Sequence, residues 1–141
     1  MAAPTISTAA EAFAAVALAA VACDGELAAV EARGLRQQLE FRQPFCAMDD
    51  AAMAGLLDRL LAILREAGWQ ALVQQAAAHL DPGQAETAFA VAASLTQADH
   101  VASSSEQSFL EQLSAALQLA ADRADTILDV VSLLNRDSLA S

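Results

Sequence analysis

Cys23-Asp24-Gly25-Glu26-Leu27-Ala28-Ala29-Val30-Glu31 has a counterpart seventy-five residues later, Ala98-Asp99-His100-Val101-Ala102-Ser103-Ser104-Ser105-Glu106. In each stretch an Ala-rich apolar run reaches an Asp, a short loop follows, and a Glu stands seven residues after the Asp. Sliding residues 10–40 onto 85–115 also pairs Ala10 with Ala85, Glu11 with Glu86, Val16 with Val91, Leu35 with Leu110 and Gln37 with Gln112. Alanine matches weigh little in a chain with 37 Ala, so the matched Asp, Glu and Gln carry the argument. The pattern reads as an internal duplication of helix–acidic loop–helix units. Two copies are too few for a solenoid and predict a pseudo-twofold globule.

Composition sets the frame around that repeat. A chain of 141 residues is expected to form one domain, residues 1–141, with a single core. Ala, Leu, Gln, Glu and Arg favour helix, whereas β-branched and aromatic residues are sparse and Tyr is missing. The expected fold class is therefore all-α. There is no Lys, and seven Arg face eighteen Asp and Glu, for a net charge of −11. Such a surface repels phosphate backbones and anionic lipid, which argues against nucleic acid and membrane docking and for cations or basic partners.

The longest apolar run, Ala12 to Cys23, is closed by Glu11 and Asp24 and is too short to span a bilayer. No Lys or Arg precedes Arg33, so the basic start of a secretory signal is not seen. Cys23 and Cys46 have no metal spacing and no framework. They read as reduced thiols of a cytoplasmic protein, with a single disulfide as the alternative.

Periodicity and caps predict about seven helices joined by short connections. Helix 1 (about 6–22, capped by Thr5 or Ser7) is apolar nearly all round and reads as the central buried helix. Helix 2 covers about 28–42, with Leu35 and Leu39 inward and Gly34 as a candidate close crossing. Helix 3 starts at an Asp49 or Asp50 cap and carries a stripe of Met53, Leu56, Leu57, Leu60, Leu61 and Leu64. Gly68 closes it, and helix 4 follows from Trp69 to Leu80. The junction is tight enough for helices 3 and 4 to be one kinked element. Asp81-Pro82 opens helix 5, the repeat partner of helix 1. Ser103-x-x-Glu106 is a capping box for helix 6, and Asp122 or Asp125 opens helix 7.

An Ala-rich helix running into DGEL-x3-E, a second copy ADHVASSSE, and then FLEQLSAALQL resemble the tellurite-resistance TerB family over roughly residues 9–135. The resemblance implies a small cytoplasmic all-α bundle, non-enzymatic and tied to tellurite and other stresses. It further implies divalent-metal binding through acidic residues and protein partners in a stress-response system. The positions that match the motif are Asp24, Gly25, Glu31, Asp99 and Glu106. His100 departs from it where the first copy has Gly25.

The residues themselves suggest the same chemistry. If the two loops converge, Asp24, Glu31, Asp99 and Glu106 crowd four carboxylates together, and a hard cation such as Ca²⁺ or Mg²⁺ relieves the repulsion. Glu26 adds a further oxygen ligand, and His100 tilts the set towards Zn²⁺ or Mn²⁺. Two other readings stand beside this one. The carboxylates are helix caps and dipole partners only, and the chain is a helical adaptor for another protein; or Cys23, Asp24 and His100 form a nucleophile, base and orienting group. The apolar segment Phe41–Met48 bears on the adaptor reading. Both Phe41 and Phe45 are expected to be buried in the same chain, because eight such residues exposed together are an aggregation hazard.

Overall fold

The structure is a computed structural model that describes residues 5–22, 29–96, 104–136 and 138–139, the side chains at 29–33 and 104–105 excepted. Six α-helices account for most of these residues: α1 (Ala9–Ala22), α2 (Ala29–Glu40), α3 (Asp50–Ala77), α4 (Pro82–Thr96), α5 (Ser104–Ala116) and α6 (Ala121–Leu134). A single 3₁₀ turn, Phe45–Ala47, lies between α2 and α3, and no strand occurs among the described residues. The all-α expectation holds, with six helices in place of seven.

The missing break is at Gly68. Its φ of 88° and ψ of 166° are not helical, yet the chain re-enters the helix at once, so the expected helices 3 and 4 form one kinked α3. That backbone region is open almost only to glycine. A Cβ at Gly68 would meet nothing closer than 3.7 Å, so backbone strain rather than collision decides its fate. Gly68→Ala is expected to cost about 1–2 kcal/mol, read as a lower urea midpoint with an unchanged slope. An unchanged midpoint would show that the kink relaxes freely.

Helix starts follow the capping rules, with two corrections. Asp49 caps α3, its Oδ1 accepting from the Ala52 N–H at 2.7 Å. Asp81 and Gln84 form a reciprocal capping box at α4: the Gln84 N–H donates to Asp81 Oδ1, and the Asp81 N–H donates to Gln84 Oε1. At α1 the cap is Thr8 rather than Thr5 or Ser7, because Thr8 Oγ1 is the atom that accepts the Glu11 N–H, at 3.1 Å. At α6 neither Asp122 nor Asp125 is the cap. Ala120 precedes the helix with no side-chain bond, and Asp122 sits inside the first turn. The Ser103 cap expected for α5 lies outside the described residues. At its other end α5 closes in a Schellman motif, with Gln118 at φ 58° and the Leu119 N–H donating to the Ser114 carbonyl.

Packing centres on α1, which is buried from Glu11 to Val21 apart from Phe13. Its small side chains let α3 and α4 lie close on either side, and these are its main contacts. Ala12, Ala14, Ala15 and Ala19 are fully enclosed, as are Leu18, Leu39, Leu60, Leu72, Phe89, Phe109 and Leu113. Trp69, just beyond the kink, meets Phe109 of α5 edge-on with ring centroids 5.0 Å apart.

The repeat is visible in the element boundaries. Displaced by 75 residues, α1 falls on 84–97 against Pro82–Thr96 for α4, and α2 falls on 104–115 against Ser104–Ala116 for α5. The two repeat-partner helices, α1 and α4, pack on each other, and each carries one main partner from later in its own half, α3 on α1 and α6 on α4.

Candidate functional site

Two regions stand out for chemistry: the end of the bundle from which the acidic segments leave, and the opposite starts of α1 and α4. Segments 23–28 and 97–103 follow α1 and α4 directly. Asp24, Glu26, Asp99 and His100 therefore lie outside the described residues, and with them Cys23 and its catalytic grouping. Glu31 is on α2, with its side chain also outside the description. Glu106 is half-buried in the first turn of α5.

What is described are the flanks of these segments. A Cβ built on Gly34 of α2 would stand 3.7 Å from Leu95 Cδ2 of α4, an ordinary van der Waals distance. The crossing expected at Gly34 is thus real, but it leaves room for a methyl group. Gly34 is three residues from Glu31, and Leu95 is four residues from Asp99. The helices flanking the two acidic segments therefore touch across the repeat. Among the described residues, no three of His, Cys, Asp and Glu come together in a group able to hold a metal ion.

At the opposite ends of α1 and α4 the repeat produces a second matched pair. Glu11 on α1 and Glu86 on α4, equivalent under the 75-residue shift, each bind an arginine of a neighbouring helix. Arg59 Nη1 of α3 is 2.5 Å from Glu11 Oε2, and Arg123 Nε of α6 donates to Glu86 Oε2. Glu11 is the more enclosed, only 7% exposed. Its Oε1 accepts from the Ser7 N–H at 2.9 Å and the Ser7 Oγ–H at 2.7 Å. Burial pushes its carboxyl up, but the two Ser7 bonds, Arg59 and the Thr8 backbone together outweigh this and hold it below the ordinary carboxylate range. Arg59 also donates to the Thr5 carbonyl at 3.2 Å, tying the segment that leads into α1 to α3. The pairing of Glu11 with Arg59 is not apparent from the sequence, because 48 positions separate them. The available signals were the Glu11/Glu86 match and the Thr8-x-x-Glu11 capping pattern.

A groove of about 780 Å³ opens beside these helix starts, between α1, the turn after α2, and the first turn of α4. Phe13, Phe41, Arg42, Pro44, Leu80 and Gln84 give it its character. The expectation that both Phe41 and Phe45 are buried is half corrected. Phe45 is 3% exposed and lies against Phe13 at 6.1 Å, but Phe41 is 68% exposed. The reason is that α2 ends at Glu40, sooner than the expected 42, so Phe41 stands on the turn instead of the inward face of a helix. The 3₁₀ turn then delivers Phe45 to Phe13 of α1. The Arg42 guanidinium lies over the Phe41 ring, 5.1 Å from its centroid.

Comparison of the chain with protein-family models, with curated proteins and with solved structures gives no match. Function is therefore argued from the chain's own residues. No helix among the described residues is long and apolar enough to cross a membrane.

Proposed function

We propose that this chain is a non-enzymatic, cytoplasmic TerB-like stress-response module that holds a divalent cation at the acidic end of its duplicated bundle. The observation that carries the reading is the approach of α2 to α4 at Gly34 and Leu95, which brings together the helices flanking the two acidic segments. The packing of α1 on α4 supports it in the same way, since each acidic segment follows one of these helices. Carboxylates from both copies then serve one ion: Asp24 and Glu31 from the first, Asp99 and Glu106 from the second, with Glu26 and His100 completing the donor set. Oxygen donors favour Ca²⁺ or Mg²⁺, and His100 widens the range to Mn²⁺ and Zn²⁺. With a net charge of −11, the unliganded protein carries repulsion that a cation relieves. Protein partners in a stress-response system complete the reading.

Thermal unfolding tests this. A ligand bound only to the folded state adds about 2.7 kcal/mol at a hundredfold excess over its Kd. For a domain of this size the melting temperature then rises by roughly 6–10 °C. The Asp24→Asn, Asp99→Asn double variant is expected to melt higher than wild type without metal and to show none of the metal-induced rise. A strain lacking the protein is expected to lose tellurite tolerance and to regain it with wild type but not with the double variant. If the carboxylates are caps only, metal leaves the melt unchanged and the variant is neutral or slightly destabilised.

A further inference from the structure

We infer that the groove beside Phe41 docks a segment of a partner protein carrying a large apolar side chain next to a carboxylate. The apolar half of the argument is the wall of the groove. Phe13, Pro44 and Leu80 line it, and Phe41 stands at its edge with 68% of its surface in water. A volume of about 780 Å³ suits one or two large side chains and their backbone.

The charged half is what sets the partner. The chain has eighteen acidic residues against seven arginines, yet among the described residues no Asp or Glu lines this groove and Arg42 does. Arg42 is held in place. Its Nε donates to the Gln38 carbonyl at 3.1 Å, and its guanidinium lies over the Phe13 and Phe41 rings at 5.8 and 5.1 Å. Arg36, Arg59 and Arg123 each pair with carboxylates, whereas Arg42 makes no ion pair among the described residues. A pre-positioned guanidinium between two rings offers its terminal N–H groups to a carboxylate in bidentate fashion.

Glu40, next to Phe41 in the chain, is paired with Arg36, and Asp81 has its Oδ1 3.5 Å from where a Cβ on the lining Gly83 would stand. That oxygen already accepts the Gln84 N–H, and Gln84 Oε1 is turned back to the Asp81 N–H. The first turns of α1 and α4 both face the groove and add their positive dipole ends to the charge of Arg42. Elsewhere on this surface a basic partner is favoured; here an acidic one is.

The test is selection from a displayed library of random heptapeptides on the immobilised full chain, at about 0.15 M salt to screen the net charge and with chelator present. Chelation keeps the result independent of any cation at the acidic end. The expected peptides join Phe, Trp or Leu to Asp or Glu. A synthetic peptide of the selected pattern should bind at least about tenfold more weakly to Arg42→Gln and to Phe41→Ala. Arg65→Gln removes another guanidinium that makes no ion pair among the described residues and lies outside the groove, and should leave the affinity as it is. Melting temperatures of the three variants should match wild type, since none of these side chains is in the core. No selected peptides, basic peptides, or peptides that bind Arg42→Gln and Phe41→Ala as well as wild type would each overturn the inference.

Discussion

Phe89→Ala lowers the stability of this protein by about 3–5 kcal/mol and its melting temperature by roughly 10–15 °C. Phe89 is fully enclosed at 0% exposure, on the helix that contacts α1, α2, α5 and α6. Removing the ring forfeits its transfer free energy and leaves a cavity bounded by several elements that cannot all move inward together. Native domains rest on only about 5–15 kcal/mol, so this one change consumes a large share of the total. Phe41→Ala is its counterpart. The same substitution at a ring 68% exposed should stay within about 0.5 kcal/mol of wild type. Equal effects at the two positions, measured by denaturant melts, would show that the core is placed wrongly.

Glu11→Ala is expected to cost about 2–3 kcal/mol, the second-largest effect. It removes at once the acceptor of two Ser7 bonds and the partner of Arg59, and leaves residues 5–8 held to α3 by the bonds of Thr5 with Arg59 and of Ile6 with Gln75. Arg59 is half in water, which keeps the figure below that of a fully buried pair. The same group gives stability a pH dependence. The folded carboxyl titrates below its unfolded value, so its contribution is complete above the ordinary carboxylate range and is lost as pH falls through the lowered folded value. Glu11→Gln keeps an acceptor for Ser7 but has no charge to titrate. Wild type should therefore be the more stable at neutral pH, with the gap closing in acid. A gap that stays constant down to the acid limit would remove the ion pair from the account.

Much of this architecture is legible in the residues, and the failures have definite physical causes. The six- or seven-helix ambiguity turned on Gly68, because a glycine after Ala67 reads equally as a helix end and as a kink. Tertiary contacts of Trp69 with Phe109 continue the helix beyond it. Asp81 was readable as a cap because Pro82 follows it, whereas Asp49 and Asp50 stand side by side and the bond from the Ala52 N–H chooses between them. Thr5, Ser7 and Thr8 crowd three candidate hydroxyls into four positions, and only the side chain that reaches the Glu11 N–H decides among them. Phe41 and Phe45 are four residues apart, a helical spacing that puts both on one face. Once α2 stops at Glu40 that spacing no longer applies, and only Phe45 reaches Phe13. The Glu11–Arg59 and Glu86–Arg123 pairs join distant positions, yet the duplication had already marked both glutamates as equivalent. The proposed acidic site was legible only as a repeated pattern, and most of its residues lie outside the described ones.

Calorimetric titration of the wild-type protein with Ca²⁺, Mg²⁺, Mn²⁺ and Zn²⁺, beside the Asp24→Asn, Asp99→Asn variant, tests the central claim most directly. Saturable heat with at least one of the four cations, fitting one ion per chain and abolished in the double variant, is the predicted result. No saturable heat with any of them at millimolar concentration, or heat that the double variant retains in full, would contradict a cation shared between the two repeats.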